Sequence, residues 1–232
     1  QAATAGLLPA GVPQGLLLDR VLDMAYAPAL DGSAQAPAIG PGRLRQLVHE
    51  LHGAASAPLA WPDAEALRAA ARPGENPGLI PLALVDVEIA RLREDALAAG
   101  LLRWEDRQLV ETGTGDPYRR QPLVAAAALR THSYRGGDLR LLLASEHLLR
   151  VGEGPAPALA LDAGDGLGFR PLALDAPFPV QYASSGPKTL TLRLERADGS
   201  AHFARFTLDV REIQAPPYDE LWPLTAETAY AG

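Results

Sequence analysis

The sequence predicts a mainly β protein with an N-terminal helical portion, in which a mixed α+β domain precedes an antiparallel β-sandwich. Strand patterns and turn signals alternate regularly from about residue 158 to 210. A helical period appears in the first quarter of the chain, and extended apolar runs replace it after Gly78. We therefore expect a mixed helix/strand domain at 1–135, a sandwich at 136–213, and a Pro-rich linker or tail at 214–232.

Two helices are predicted in the N-terminal part. The first covers 43–53, because apolar residues recur at the i, i+3, i+4, i+7 positions of one helical face: Leu44, Leu47, Val48 and Leu51. A second covers 63–71, where Asp63 follows a proline and gives a start signal. Residues 1–40 are rich in Ala, Gly and Pro, so we expect an extended strand or a short helix there, followed by a loop.

Strands are expected in the middle of the chain. Apolar alternation predicts a strand at 81–89, and a helical turn that ends at Gly100 should follow it. Shorter strands are predicted at 108–111 and 124–130. The stretch 138–151 reads as one strand or as two strands broken near Ser145. The strands at 81–89 and 138–151 could belong to either domain, so the boundary near residue 135 could move by tens of residues.

The final third is predicted to contain only strands and turns. Alternation of polar and apolar residues over 189–194 is typical of a half-buried antiparallel strand. Asp198-Gly199 between two such runs favours a hairpin. The predicted strands are 158–161, 169–174, 180–183, 189–196 and 202–210.

Composition excludes several functional classes. The 232-residue chain has a formal net charge of -7, whereas phosphate-backbone binding needs a basic face, so nucleic acid is not an expected partner. There are no cysteines, which excludes disulfides, thiolate metal sites and cysteine nucleophiles. No segment reaches the roughly 18 consecutive apolar residues of a membrane-spanning helix.

The region from about 136 to 213 resembles the PKD-type immunoglobulin-like module. The resemblance rests on the turn Asp162-Ala163-Gly164-Asp165-Gly166, followed by Tyr182, Gly186 and the alternating run 189–194. The chain departs from the family pattern at Leu161, where an aromatic residue usually precedes the first aspartate. The resemblance implies an Ig-like sandwich, and it leaves the function open because such modules act as spacers, carbohydrate binders or chain-stabilising domains.

The N-terminal part resembles the corresponding region of large secreted bacterial proteins that can carry a downstream α/β-hydrolase-like domain. The motif at 13–21, the helix around 47–51 and the strand at 81–89 carry this resemblance. It implies a secreted, periplasmic or cell-surface location. The start at Gln1, without an initiator Met, is read either as a trimmed chain or as a mature N-terminus left by signal-peptide removal.

The aspartate-glycine turn is the candidate metal site. Asp162 and Asp165 could offer hard oxygen ligands to calcium, and Glu153 and Asp175 could add charge. The competing interpretation is structural, since aspartates in tight turns accept hydrogen bonds from backbone N–H groups while glycines supply positive φ. The structural interpretation is favoured, and calcium is the one cofactor that the sequence suggests.

No catalytic residues are predicted. Gly-x-Ser-x-Gly is absent, and scattered carboxylates cannot be placed across a cleft. The sequence His49-Glu50-Leu51-His52 has a spacing of three rather than the four of a zinc-protease helix, so a solvated helix flank is favoured over a metal site. An unrecognised hydrolase site would most plausibly involve His132, His147 or the His49/His52 pair.

The expected function is therefore that of a non-catalytic accessory module, which spaces, stabilises or presents a neighbouring domain of the same secreted bacterial polypeptide. One alternative is a carbohydrate- or surface-binding module, which needs exposed aromatic residues. The candidates for such a surface are Trp104, Tyr118, Tyr134, Tyr182 and Trp222. The other alternative is a secreted hydrolase, or part of one, with its active site outside this chain.

Overall fold

The computed structural model describes residues 2–8, 15–21, 25–70, 79–129, 134–135, 137–151 and 155–211. Strands make up 45% and helices 16% of the structure, which confirms the prediction of a mainly β protein. The predicted tail at 214–232 lies outside the described residues, and so do His132, Glu153 and Trp222.

Two α-helices lie in the described part of the N-terminal region, as predicted. Helix α1 spans Pro41–Ala54 and buries the four apolar residues of its predicted face. Helix α2 spans Ala64–Ala70, and the Asp63 carboxylate accepts a hydrogen bond from the Ala66 backbone N–H at 2.8 Å, the geometry of an N-cap. Short 3-10 helices also occur among the described residues, at Ala2–Thr4, Leu18–Arg20 and Ala27–Ala29.

Eleven strands follow α2 in the described residues. They are β1 (Leu79–Leu92), β2 (Leu102–Glu105), β3 (Gln108–Glu111), β4 (Tyr118–Ala128), β5 (Tyr134–Arg135), β6 (Asp138–Arg150), β7 (Ala158–Asp162), β8 (Phe169–Pro171), β9 (Phe178–Gln181), β10 (Gly186–Glu195) and β11 (Ala201–Arg211). Every predicted strand has a counterpart. Strand β2 and the two-residue β5 were not predicted, and β4 begins six residues earlier than predicted.

The strands form two larger sheets and one small hairpin. The first sheet has the order β4-β1-β6-β9, the second has the order β5-β11-β10-β7-β8, and β2 pairs with β3. One hydrophobic core contains buried residues from both sheets and from α1. The strands on either side of the predicted boundary near residue 135 therefore share the first sheet.

Two strand pairs are parallel, and each includes one strand from outside the predicted antiparallel sandwich at 136–213. β1 is parallel to β6, and β11 is parallel to β5 at Val210 and Arg211. A parallel pair needs a long crossover connection, and the chain between β1 and β6 supplies one because it includes β2, β3, β4 and β5. The other pairings within both sheets are antiparallel.

Strand β1 is buried on both faces for most of its length. Its residues from Leu82 to Val87 are consecutively buried, so the strict alternation that the sequence analysis assumed is wrong here. A strand covered on both faces has a continuous apolar run rather than an alternating one. Glu88 interrupts the burial, and β1 becomes exposed only towards its C-terminal end.

Strand β6 is continuous but irregular at the predicted break near Ser145. The register with β1 shifts between Leu82 and Leu84, opposite this point. Asp175 pairs with backbone groups of β6 at this point. Its carboxylate accepts a hydrogen bond from the Ser145 N–H at 2.8 Å, and its own N–H donates to the Leu143 carbonyl at 3.0 Å. The break near Ser145 is thus a β-bulge-like irregularity within one strand.

A segment before α1 connects the two sheets; we call residues 30–39 the bridging segment. The Leu30 carbonyl accepts a hydrogen bond from the Val124 N–H of β4 at 2.8 Å, and the Gly32 carbonyl accepts one from the Phe203 N–H of β11 at 2.8 Å. Ile39 then forms a parallel bridge to Phe206 of β11. The bridging segment therefore covers an edge of β11 and joins it to β4, the edge strand of the other sheet.

The residues before the bridging segment are fixed to the first sheet. The Ala90 N–H donates to the Leu16 carbonyl at 2.8 Å, and the Leu92 N–H donates to the Asp19 carboxylate at 2.8 Å. The Arg20 guanidinium, almost fully buried, donates to the carbonyls of three other residues: Ala5, Leu7 and Ala55. The N-terminal residues are thus part of the structure that packs against β1.

Substitution of Gly32 tests the close packing of the bridging segment between the two sheets. Gly32 has φ +76, and an added Cβ would lie 2.6 Å from His202 Nδ1 and 3.1 Å from a Val124 methyl group. Gly113 has the same φ of +76 with nothing within 4 Å of an added Cβ. Positive φ should cost each alanine variant about 1–2 kcal/mol, and overpacking should cost Gly32→Ala about 1–3 kcal/mol more.

The measurement is the free energy of unfolding of both variants in urea. A larger loss for Gly32→Ala than for Gly113→Ala is expected, because only Gly32 lies between the two sheets. Equal losses would contradict the close contact described for the bridging segment.

Candidate functional site

The aspartate-glycine turn is held by its own backbone. Asp162 Oδ1 accepts a hydrogen bond from the Gly164 N–H at 2.9 Å, and Asp165 Oδ1 accepts one from the Leu167 N–H at 3.1 Å. Gly164 has φ +68, and an added Cβ would lie 2.7 Å from the Thr189 carbonyl oxygen. Both the conformation and the close approach to β10 require glycine at this position.

Asp165 is also the partner of an arginine. Its side chain is 1% exposed, and its Oδ2 accepts a hydrogen bond from the Arg170 guanidinium at 2.5 Å. Arg170 lies over the Phe178 ring and donates to the Pro179 carbonyl at 3.1 Å. The pair therefore connects the turn after β7 to β8 and β9.

Tyr182 closes the same turn from the other side. Its hydroxyl donates to the Ala163 carbonyl at 2.7 Å. Burial raises the pKa of Tyr182 well above its usual range, and the nearby Asp165 carboxylate adds to this shift. The neutral phenol therefore persists and remains a hydrogen-bond donor.

The geometry of the turn bears on calcium binding. Asp162 and Asp165 each accept a hydrogen bond from a backbone N–H with one oxygen, and the second oxygen of Asp165 accepts one from Arg170. Within the described ranges, no group of three or more His, Cys, Asp or Glu side chains is placed to hold a metal ion. Calcium binding here stays a prediction, and a cation at Asp165 would compete with the arginine.

The His49-Glu50-His52 residues of α1 do not converge on one point. His49 is exposed, while Glu50 is buried and accepts a hydrogen bond from Gln46 Nε2 at 2.8 Å. The Tyr26 hydroxyl lies 3.5 Å from the other Glu50 oxygen. His52 faces Trp61 in an edge-on arrangement with ring centroids 6.2 Å apart. These contacts hold the helix against its neighbours.

His147 is a buried residue of β6. Burial lowers the pKa of its imidazole, and Glu146, 3.7 Å away, acts in the opposite direction. A hydrogen bond to the Leu82 backbone also favours the protonated form. His147 therefore lies at the irregular part of the β1–β6 pair, and its described contacts are with β1 and β6.

A charged group that the sequence analysis missed lies in the centre of β1. Asp86 is 5% exposed and forms ion pairs with Arg196 at the end of β10 and with Arg150 at the end of β6, the latter at 3.5 Å. The Arg150 carbonyl in turn accepts a hydrogen bond from Trp61 Nε1 at 2.7 Å. The cluster ties both sheets to the segment before α2. A carboxylate at the centre of an otherwise apolar run was the signal that could have revealed it.

An open cleft of about 400 Å³ lies where β1 ends and β4 begins. Its lining residues are Arg91, Leu92, Arg93, Glu94, Asp95, Arg119 and Gln121; we call it the arginine cleft. Arg91 and Arg119 face each other directly in the β1–β4 register. This pairing has no local signal in the sequence, because 27 intervening residues separate the two arginines.

The predicted aromatic surface is different in the structure. Tyr118, Tyr134 and Tyr182 are buried, whereas Trp104 on β2 is 58% exposed. Instead, Phe169 of β8 and Phe203 of β11 form an aromatic pair with ring centroids 6.4 Å apart. Arg193 lies 5.4 Å from the Phe169 ring centroid. The strand alternation places Arg193 and Phe203 on the outer face of the second sheet, opposite the buried leucines of β10.

Comparison with known proteins gives no assignment: neither a protein-family model nor any curated protein sequence matches this chain. In the part of the chain that the structure describes, no helix is long and apolar enough to cross a membrane.

Substitution of Asp86 tests the role of the buried charge cluster. Asp86→Ala leaves two arginines without their carboxylate, so we expect the free energy of unfolding to fall by about 3 kcal/mol. This is the lower end of the usual range for a buried pair, because both guanidinium groups keep some access to water. Asp209→Ala removes the exposed Asp209–Arg211 pair and should change stability by about 0.5 kcal/mol or less.

Urea unfolding of the two variants and the parent gives the comparison. A loss for Asp86→Ala as small as that for Asp209→Ala would show that Asp86 does not connect the sheets energetically.

Proposed function

We propose that this chain is a non-catalytic accessory module of a secreted bacterial protein, in which it spaces, stabilises or presents a neighbouring part of the same polypeptide. One observation carries the proposal: the buried carboxylates of the described residues have structural partners. Glu50 is bound by Gln46, Asp86 by two arginines and Asp165 by Arg170. A hydrolytic site instead needs at least two titratable groups directed into one cavity.

The organisation of the core agrees with this role. Helix α1, the bridging segment and both sheets contribute to a single hydrophobic core. A chain packed around one core is suited to hold a neighbouring part of the polypeptide in place rather than to open and close. The Ig-like, PKD-type arrangement and the secreted location belong to this proposal. They are supported by the resemblance of the turn at 162–166 and of the alternating strand β10 to that family.

The test uses the full-length polypeptide of the source organism. If this region stabilises its neighbour, Asp86→Ala should lower the temperature at which the neighbouring activity is lost, while kcat/KM at low temperature stays unchanged. Asp209→Ala is the matched control and should leave both quantities unchanged. The proposal fails if this chain alone turns over ester, glycoside or peptide substrates faster than the same chain after heat unfolding.

A second candidate function is binding of a polysaccharide at the outer face of the second sheet. The Phe169–Phe203 pair favours it, because Phe169 is 42% exposed on an open face with a neighbouring arginine. Exposed aromatic rings offer flat apolar faces against which sugar rings can pack.

Retention on insoluble polysaccharides distinguishes this candidate. We expect the parent chain to sediment with at least one of cellulose, chitin and peptidoglycan, and Phe169→Ala to lose most of that retention. Trp104→Ala removes a more exposed ring from the separate β2–β3 hairpin and should bind like the parent. Equal loss in both variants, or no retention of the parent, would rule out a site at the Phe169–Phe203 pair.

A further inference from the structure

The arginine cleft holds two like charges opposite one another. Arg91 of β1 and Arg119 of β4 are directly paired across the antiparallel ladder. Directly opposed residues have Cβ atoms about 4.5–5.5 Å apart, and like charges in that position destabilise the sheet. The pair therefore raises the question of what compensates its repulsion.

No carboxylate in the described part of the chain forms an ion pair with either arginine. Among the described residues, neither the Arg91 nor the Arg119 guanidinium makes an ion pair or a hydrogen bond. Neighbouring arginines do: Arg93 donates to both oxygens of Asp95 at 3.0 and 2.7 Å, and Arg120 pairs with Asp116 at 2.5 Å. The chain has 28 acidic residues against 21 basic ones, so acidic partners are abundant in the sequence, yet none of those that the structure describes pairs with Arg91 or Arg119.

The remaining walls of the arginine cleft are compatible with a compact anion. The hydrogen bond from Arg93 lowers the pKa of the Asp95 carboxyl, so Asp95 is ionised and its negative charge is balanced by the Arg93 guanidinium. Gln121 is anchored by donating to the Pro28 carbonyl at 3.2 Å. Glu94 also lines the cleft, so a polyanion that covered the whole cleft would meet a carboxylate, whereas a small anion between Arg91 and Arg119 need not.

The donor geometry selects the kind of anion. Each guanidinium presents a planar fork of N–H groups that binds two oxygens of one oxyanion. Two opposed forks require acceptor oxygens on two sides of the ligand. A tetrahedral group such as phosphate or sulfate directs its oxygens to several sides, whereas the two oxygens of a carboxylate lie in one plane at one end of the group. A volume of about 400 Å³ is also within the usual size range of small-ligand sites.

We propose that the arginine cleft is a binding site for a tetrahedral oxyanion, phosphate or sulfate, held between Arg91 and Arg119. The anion is either free or an ester group of a larger molecule. The site is independent of the accessory role proposed above, because it depends only on the exposed end of the β1–β4 pair.

The experiment measures thermal stability of the complete chain in chloride, acetate, sulfate and phosphate at matched ionic strength. We expect sulfate or phosphate to raise the Tm of the parent more than that of Arg91→Gln and Arg119→Gln. The variants should bind the anion more weakly by about tenfold or more. Arg103→Gln is the control, since Arg103 is an exposed strand arginine already paired with Glu105.

The Tm of the variants in chloride alone is also informative. Removing one of two opposed like charges should leave Tm unchanged or raise it slightly, which separates loss of binding from loss of folding. Inorganic phosphate observed by phosphorus NMR should broaden with the parent and with Arg103→Gln, but not with Arg91→Gln.

Two results would overturn the proposal. Equal stabilisation of the parent and all three variants by sulfate or phosphate would be the general effect of excluded salts and not a site. An acetate effect as large as that of phosphate, lost in Arg91→Gln, would replace the tetrahedral ligand with a carboxylate.

Discussion

Burial of β1 on both faces is the constraint on which the rest of the structure depends. A strand in this position needs a covering layer on each side, and its neighbours cannot come from one local hairpin. β4 pairs with it on one edge, and β6 pairs with it in parallel on the other. Residues 16–19 then continue along the β1 backbone beyond the end of β6. The segments before and after β1 must therefore fold together.

The charged residues follow from the same constraint. Asp86 is a carboxylate in the most buried strand, so its ionised form requires nearby cations. Arg150 and Arg196 come from the ends of two strands in different sheets, which makes the ion pairs an inter-sheet connection. Asp165 and Arg170 repeat the arrangement at the turn after β7. Arginine suits both places because its guanidinium binds carboxylates with several N–H groups and keeps its charge when partly buried.

Local patterns in the sequence predicted local structure well. The helical period at 43–53 gave α1, and Asp198-Gly199 gave the β10–β11 hairpin, in which Gly199 has φ +81. The early part of β4 was missed because Pro122 interrupts it. The structure accommodates this proline because β4 is an edge strand, where one N–H of the ladder is not needed.

Features that depend on distant pairing could not be predicted from the sequence. The parallel β1–β6 pair and the covering of β11 by the bridging segment carry no local signal. The candidate sites divide in the same way. The turn at 162–166 was visible as a motif, whereas Arg91 and Arg119 meet only through the register of β1 with β4.

The same register explains why the arginine pair is available for binding. The buried run of β1 ends before Arg91. On the face of the sheet that carries Arg91 and Arg119, the last residues of β1 and the first of β4 therefore contribute little to the core. An unfavourable charge pair there costs stability without unfolding the sheet, because the buried part of the ladder holds both strands in register. The ladder thus fixes the backbone positions of the two arginines relative to one another. A fixed backbone removes part of the ordering cost that an incoming anion would otherwise meet.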